Sequence, residues 1–187
     1  MRGEARRLFF VTGNKNKFAE ARQFLPELLQ ANLDLIEIQG IDPKSIIRAK
    51  LLEARSRIAG SIIVEDTSLE FQCLNGLPGP LIKWFLKKMG NKRLAELAIK
   101  NNNTSAKAIL WIGYIDPKGG IRYFSASLKG EIVSPKGHHG FGWDPIFRPL
   151  GHSKTLAEMT LAEKNSISMR ARTFEKLRSC LQADFRK

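Results

Sequence analysis

The chain is short, strongly basic and otherwise of ordinary globular composition. Its 187 residues include 31 Lys and Arg against 18 Asp and Glu, which gives a formal net charge of +13 at pH 7. Hydrophobic residues make up 43% and charged residues 26% of the chain, and this composition excludes disorder of the whole chain. No apolar run approaches the roughly 20 residues that a membrane helix needs, and two cysteines do not make a disulfide framework. We therefore expect a single cytoplasmic domain over residues 1–187, without a membrane partner.

The first third of the chain predicts alternating strands and helices. Runs of aromatic and β-branched residues indicate strands, and apolar residues at helical spacing indicate helices between them. The expected elements are a strand at residues 7–12, a helix from Lys15 to about Pro26, a strand at residues 34–39, a helix at residues 46–58 that Gly60 closes, and a strand at residues 61–65 that runs into Asp66. Because helical crossovers join parallel strands, this order predicts an α/β sheet with parallel pairing.

The rest of the chain predicts a different organisation. The expected elements are a rigid turn at residues 77–80, a short helix containing Trp84 and Met89, a second helix at residues 92–100, strands at residues 107–115 and 121–133 joined by a hairpin turn, and a last helix opened by a capping box at residues 160–163. Turn residues and the Thr-x-x-Glu spacing carry these assignments. The apolar stripe of the last helix runs from Ile167 to Leu181.

The strong positive charge admits three interpretations. The cations concentrate near residues 2–7, 83–93 and 170–187, and such a charge suits solvated surfaces, a phosphate-rich ligand or nucleic acid. No aromatic-interleaved RNA-binding motif and no Gly-Arg tract accompanies the cations. Nucleic acid is therefore not the expected partner.

The first candidate site follows the first strand. Thr12, Gly13 and Asn14 lead directly into a helix that carries Lys17. Backbone N–H groups at a helix start, the helix dipole and nearby lysines favour an anion such as phosphate. An ordinary helix cap with solvated lysines is the alternative.

The second candidate site is a group of carboxylates. Glu65 and Asp66 follow the third predicted strand, and Glu37 lies near the end of the second. Carboxylates at the carboxyl ends of sheet strands commonly hold Mg²⁺ beside phosphates. Solvated surface carboxylates are the alternative, but the buried run before Glu65 favours a site at the rim of a rigid sheet.

Two further candidate sites contain aromatic and basic residues. Phe141 and Trp143, followed by Asp144, could stack on a base and bond its edge, with a packing corner as the alternative. Lys164 and Ser168 are one helical turn apart and share a face, with Arg170 nearby; a solvated helix face is the alternative there.

The order of these segments resembles the inosine triphosphate pyrophosphatase family, which acts on non-standard purine nucleoside triphosphates. The matching segments are residues 12–14 with Lys17, 37–40, 64–68, 76–80, 82–85, 141–145, 157–159 and 162–170. The resemblance implies an α/β fold with a long mixed central β-sheet flanked by helices, in two lobes with the active-site cleft between them. It also implies Mg²⁺-dependent hydrolysis of ITP, dITP and XTP to the monophosphate and pyrophosphate by a cytoplasmic homodimer, with Mn²⁺ as an alternative ion.

The resemblance also implies a role for each matching residue. The triphosphate site would contain Thr12, Asn14, Lys17, Lys50 and Lys83, and Ser68 would also bind the substrate. The metal ligands would be Glu37 and Asp66, and Asp66 or Glu65 would orient the attacking water. The purine site would contain Phe141, Trp143, Asp144, Lys164, Ser168, Met169 and Arg170. Because the family usually has a histidine where this chain has Met169, we expect an active enzyme that discriminates less between bases.

Two other functions remain as alternatives. The first is a house-cleaning pyrophosphatase that acts on other modified nucleotides, which the segment from Phe141 to Asp144 speaks against. The second is a basic nucleic-acid-binding module, which the charge of +13 suggests. A module of that kind would bind in a strongly salt-dependent manner without needing Mg²⁺.

Overall fold

The structure, a computed structural model, describes residues 7–185. It contains a mixed seven-stranded sheet with helices packed on it, which confirms the predicted fold class. The strands are β1 (Leu8–Val11), β2 (Leu29–Ala31), β3 (Ser61–Phe71), β4 (Pro78–Gly79), β5 (Ser105–Ile115), β6 (Ile121–Ile132) and β7 (Phe147–Pro149). The helices are α1 (Lys15–Arg22), α2 (Pro43–Arg55), α3 (Ile82–Lys100), α4 (Leu161–Ile167) and α5 (Met169–Phe185). Within this described range, no helix has the length and hydropathy that crossing a membrane requires.

The sheet runs in the order β2-β1-β3-β5-β6-β7, and β4 pairs with β3. Strand β1 pairs in parallel with both β2 and β3, which confirms the predicted parallel pairing of the first strands. From β1 the chain moves to one side to form β2 and then crosses to the other side to form β3. Right-handed crossovers therefore place α1 and α2 on opposite faces of the sheet. The point between β1 and β3, where the winding reverses, is where open α/β sheets bind ligands.

The chain forms two compact units that are interleaved along the sequence. The first unit holds the chain up to Asp66, residues Leu110–Ser125 and the chain from Arg170 onward. The second unit holds Thr67–Ile109 and Ala126–Met169. Strands β3, β5 and β6 contribute residues to both units, so no linker separates the two along the chain.

In the first unit, both faces of the parallel strands are covered. On one face, Ile47 and Leu51 of α2 pack with Ile62 and Val64 of β3. This packing is close because Gly113 lacks a side chain; a Cβ there would lie 2.2 Å from Ile47 Cγ2. On the other face, the Phe174 ring of α5 packs edge-on against Phe10 at 6.2 Å and stacks on Phe24 at 6.1 Å.

In the second unit, α3 bends at a glycine. Gly90 has φ 71° and ψ 168°, which a residue with a Cβ rarely adopts, and it divides α3 into two helical segments. This division confirms the predicted pair of helices on either side of residue 90. The C-terminal segment buries Leu94, Ala95 and Ala98.

The predicted strand at residues 34–39 is wrong. Residues 32–40 form no strand or helix, and the second strand is instead β2. Side chains of Glu53 in α2 and of Arg57, just after α2, take backbone groups that a strand partner would need. The Ile36 N–H donates to Glu53 Oε2, and the Asp34 carbonyl accepts from Arg57. Of the three apolar residues in the predicted strand, only Leu35 is half-buried, whereas Ile36 and Ile38 are exposed.

Two predicted element ends are also wrong. Strand β3 does not end at Asp66 but continues to Phe71, so Glu65 and Asp66 lie in the middle of a strand. The last helix is two helices, because Ser168 has φ −67° and ψ 145° and separates α4 from α5. The predicted capping box of Thr160 and Glu163 is confirmed at the start of α4.

Candidate functional site

The connection from β1 to α1 is a side-chain cap. The Thr12 hydroxyl oxygen accepts from the Asn14 N–H at 3.1 Å. Asn14 Oδ1 in turn accepts from the backbone N–H groups of Asn16 and Lys17, at 3.0 and 3.1 Å. Two of the amides that a bound anion would use are thus already satisfied by the cap. Attraction for an anion at this position therefore depends on the helix dipole and on Lys17.

Adjacent carboxylates of β3 lie on opposite faces of the sheet, because successive strand side chains alternate. Glu65 contacts Lys17 of α1 and Arg170 of α5. Asp66 contacts Lys50 of α2. The two residues that sequence reasoning treated as alternatives for one role are therefore in separate environments.

The α2 face holds a lysine between two carboxylates. Lys50 Nζ lies 3.0 Å from Asp66 Oδ1 and 3.2 Å from Glu37 Oε1. Burial alone would lower the pKa of Lys50, but the two carboxylates raise it. Burial raises the pKa of Asp66, although Lys50 opposes that effect. Asp66 Oδ2 is buried and has no hydrogen-bond partner among the described residues.

The α1 and α5 face holds a saturated ion cluster. Arg170 donates from Nε to Glu65 Oε2 at 3.1 Å and from Nη2 to Glu65 Oε1 at 2.7 Å. Arg170 Nη1 donates to Glu20, and Lys17 Nζ lies 3.1 Å from Glu65 Oε1. Burial alone would raise the pKa of Glu65, but Arg170 and Lys17 lower it to about 2. Glu65 is thus ionised at neutral pH and is a poor proton acceptor.

A Mg²⁺ ion fits the α2 face better than the other face. No three acidic, histidine or cysteine side chains of the described residues form a metal cage. However, Mg²⁺ typically keeps several waters and uses one or two carboxylates together with substrate phosphates. Glu37 and Asp66 supply such a pair, and the unpartnered Asp66 Oδ2 is an oxygen that a cation or a water would satisfy.

In the second unit, one carboxylate organises an aromatic loop. Asp144 Oδ2 accepts from Lys164 Nζ at 2.8 Å and from the Phe141 N–H at 2.9 Å. Lys164 Nζ lies 4.8 Å from the centre of the half-buried Phe141 ring. Trp143 is buried and packs edge-on against Phe147, with 5.5 Å between the ring centres. Phe141 is therefore the less buried of the two rings.

Residues 8–180 match the sequence profile of the Ham1 family. The chain belongs to the Ham1 family. It is 40% identical over 181 residues to an inosine triphosphate pyrophosphatase of Schizosaccharomyces pombe, covering 95% of this chain and 96% of that protein. It is 41% identical over 184 residues to an inosine triphosphate pyrophosphatase of Kluyveromyces lactis, covering 93% and 95%. A Ham1 protein structure from Coxiella burnetii has the same fold, with a TM-score of 0.79 at 23% identity over 95% of this chain and 98% of that one.

In this Ham1 chain, most of the predicted site residues fall into three groups. The cap and ion-cluster group contains Thr12, Asn14, Lys17, Glu65 and Arg170; the α2 group contains Glu37, Lys50 and Asp66; and the aromatic-loop group contains Phe141, Asp144 and Lys164. The first two groups lie in the first unit and the third lies in the second unit.

Four other predicted residues of this Ham1 chain belong to the second unit. Ser68 is fully buried, and no hydrogen-bond partner for its Oγ is found among the described residues. Lys83 is exposed on α3, with its Nζ 5.7 Å from the centre of the Trp84 ring. Ser168 and Met169 are buried at the break between α4 and α5. Their roles in the site stay predictions.

The prediction that Lys164 and Ser168 share a helix face is wrong. Ser168 does not share a helix face with Lys164, since it lies beyond the end of α4. Arg170 lies in α5 and pairs with Glu65 and Glu20. Lys164 pairs with Asp144.

Sequence reasoning overlooked two residues of this Ham1 chain. Glu20 is buried against Arg170, although the two are 150 positions apart. The sequence feature that could have identified Glu20 is its spacing of three residues from Lys17, which places both residues on one helix face. Asn91, after the bend in α3, donates to the carbonyl of Gly142 at 3.0 Å and so ties α3 to the aromatic loop. Nothing in the sequence pattern around Asn91 indicated that contact.

Proposed function

We propose that this Ham1 family protein is a hydrolase that converts non-standard purine nucleoside triphosphates, namely ITP, dITP and XTP, to the monophosphate and pyrophosphate. The observation that carries this proposal is the identity of 40–41%, over nearly the whole chain, to two proteins named inosine triphosphate pyrophosphatase. The carboxylate and lysine group beside the reversal point of the sheet is consistent with it, since phosphates and their cations are bound at such points.

Binding the substrate requires cationic side chains that neutralise its phosphates, because a nucleoside triphosphate carries about four negative charges. We assign this neutralisation of phosphate charge to Lys17, Lys50 and Lys83. Thr12, Asn14 and Ser68 are assigned to the same ligand through the family resemblance alone. Lys50 is held between Glu37 and Asp66, so phosphate binding would draw on a lysine that is already in place.

Glu37 and Asp66 are the residues that would hold Mg²⁺, or Mn²⁺ in its place. The ion would supply neutralisation of phosphate charge and polarisation of a phosphoryl oxygen. The support in this chain is chemical: two oxygen donors of a hard type, one of them with a buried oxygen that lacks a partner among the described residues.

Asp66 is the better candidate for orienting the attacking water. Its Oδ2 accepts no hydrogen bond from any described residue, and its pKa is raised by burial, so it can accept a proton from water. Glu65 lacks both properties because Arg170 and Lys17 engage its oxygens. In the proposed step, the water oxygen bonds to the α-phosphorus, the bond from that phosphorus to the bridging oxygen breaks, and pyrophosphate leaves. Catalysis is then mainly positioning and charge stabilisation.

Phe141, Asp144 and Lys164 are proposed to receive the purine. Phe141 is proposed to stack on the purine because it is less buried than Trp143, and Lys164 is a donor suited to a 6-oxygen. The 6-amino group of adenosine would leave that donor unpaired, at a cost of roughly 1–3 kcal/mol. Trp143, Ser168, Met169 and Arg170 are proposed to support this site through packing or hydrogen bonds.

A pyrophosphate-release assay tests the function directly. Eight nucleotides, including ITP, dITP, XTP, GTP and ATP, are compared with and without Mg²⁺. We expect rapid release from ITP, dITP and XTP only in the presence of the metal. Preference for another modified nucleotide would favour a different house-cleaning specificity, and hydrolysis of none would contradict the proposal.

The family resemblance is also the support for a homodimer in the cytoplasm. Sedimentation velocity at micromolar concentration should show a species of twice the chain mass. A species of the single-chain mass would contradict the dimer and leave the proposed chemistry unaffected.

A further inference from the structure

The ion cluster around Glu65 contains three buried charges and one at its edge. The side chains of Glu65, Arg170 and Glu20 are 1%, 6% and 9% exposed, whereas that of Lys17 is 23% exposed. Lys17 is thus the member of the cluster that can reach a ligand from solvent. The other three lie behind it.

The planar guanidinium of Arg170 fixes the orientation of Glu65. Two parallel hydrogen bonds from Arg170 engage both oxygens of Glu65, and such bidentate pairing sets the plane of a carboxylate as well as its position. The remaining terminal nitrogen of Arg170 bonds to Glu20. Glu20 therefore holds the guanidinium on the side opposite Glu65.

Glu65 in turn holds Lys17 with one shared oxygen. Oε1 of Glu65 accepts from Arg170 at 2.7 Å and lies 3.1 Å from Lys17 Nζ. Because Arg170 shares that oxygen, the attraction of Glu65 for Lys17 is weakened without being lost. An ammonium group has three N–H donors, and Glu65 requires one of them.

Stability alone does not account for this arrangement. Burying ion pairs has a large desolvation cost, and apolar residues of similar volume often serve stability equally well. The cluster also ties three elements together, because its members come from α1, β3 and the first turn of α5.

We propose that Glu20 is a positioning residue: through Arg170 and Glu65 it fixes Lys17 for binding the triphosphate of the substrate. This inference rests on the proposed function and deepens it. In this proposal Glu20 does not touch the substrate, and its effect on triphosphate binding passes through Lys17.

The test is a double-mutant cycle on Glu20 and Lys17. The proteins are the wild type, Glu20→Gln, Lys17→Ala and the double variant, with Glu27→Gln as a control that removes the same charge from an exposed position of the first unit. KM and kcat are measured for ITP, and the Kd for inorganic triphosphate is measured by calorimetry. Urea unfolding reports stability separately.

We expect Glu20→Gln to raise KM and the triphosphate Kd by roughly 5- to 20-fold, with kcat changed by less than about threefold. In the Lys17→Ala background the same substitution should change both constants by less than about twofold, since interacting sites are not additive. Glu27→Gln should leave both constants unchanged.

Equal effects of Glu20→Gln in both backgrounds would overturn the inference, as would unchanged constants in a folded variant. If Glu20→Gln does not fold, Glu20→Asp, which keeps the charge on a shorter side chain, should give an intermediate shift, and an unchanged Kd for that variant would equally overturn the inference. Failure of the proposed function is distinguishable, because the wild type would then not hydrolyse ITP while the triphosphate Kd still reports on Lys17.

Discussion

Glu65 and Asp66 are neighbours in β3, but the first unit gives them opposite surroundings. On the Glu65 side, Arg170 and Lys17 engage both carboxylate oxygens and lower the pKa to about 2. On the Asp66 side, one oxygen meets Lys50, the other has no partner among the described residues, and burial raises the pKa. Environments that push the pKa values of two carboxylates apart commonly divide their roles. Here the difference separates a residue that holds structure from one that can accept a proton or bind a cation.

The largest expected effect comes from removing the charge of Asp66. Asp66→Asn should lower kcat for ITP by about 10²- to 10⁴-fold, the range that a general base contributes, while urea unfolding stays that of a folded protein. Glu70→Gln is the matched control, because Glu70 belongs to the same strand and pairs with Lys107 at 2.8 Å. A variant that keeps more than about a tenth of wild-type activity, a barrier change under roughly 1.4 kcal/mol, would show that Asp66 is not central.

The second-largest expected effect comes from breaking the ion cluster around Glu65. Arg170→Met leaves Glu20 and Glu65 buried with too little positive charge, and breaking a buried ion pair costs about 3–5 kcal/mol of unfolding free energy. Arg178→Met, at an exposed position of the same helix, should stay within about 0.5 kcal/mol of the wild type. Urea denaturation followed by circular dichroism measures both. Equal stability of the two variants would mean that the cluster contributes nothing to the fold.

Low pH should reduce the stability that the ionised Glu65 gives to the folded protein. The pKa of Glu65 is about 2 in the folded protein against an ordinary 4.5, so its stabilisation is complete above the ordinary value and is lost as pH falls towards 2. The loss is on the order of 3 kcal/mol. Asp66 acts in the opposite direction, since a raised pKa favours the folded state on protonation. Between pH 5 and pH 3 the unfolding free energy should therefore fall less for Glu65→Gln than for the wild type. An equal decrease for the two proteins would refute this.

The smallest expected effect comes from removing the charge of Lys83, an exposed lysine of α3. Lys83→Ala should raise KM for ITP by about three- to tenfold, because it removes a point charge proposed for the phosphates, and should leave stability unchanged. Lys87→Ala is the matched control, because the Nζ atoms of Lys83 and Lys87 each lie 5.7 Å from the centre of the Trp84 ring. If both variants have the same KM at low salt, Lys83 is an ordinary solvated lysine.

The sequence predicted the parts of the fold that local signals encode. The order of the first elements, the bend near residue 90, the hairpin after β5 and the capping box at Thr160 each follow from periodicity, glycine or cap residues. It missed features that depend on distant partners. Residues 34–39 alternate like a strand, but the side chains of Glu53 and Arg57 bond to backbone groups of Ile36 and Asp34.

The candidate site shows the same limit. Residue types and family resemblance indicated Lys17, Glu65 and Arg170, but no local pattern could show that Arg170 and Glu20 meet across 150 positions. The continuation of β3 past Asp66 was missed for a related reason. Two adjacent acids usually end a buried strand, and here each is compensated by a cation on its own face.

The most direct test of the central claim is hydrolysis of ITP in ¹⁸O-labelled water, with the products analysed by mass spectrometry. Attack on the α-phosphorus predicts one ¹⁸O atom in inosine monophosphate and none in the released pyrophosphate. Label in the pyrophosphate, or formation of IDP with labelled orthophosphate, would contradict the account.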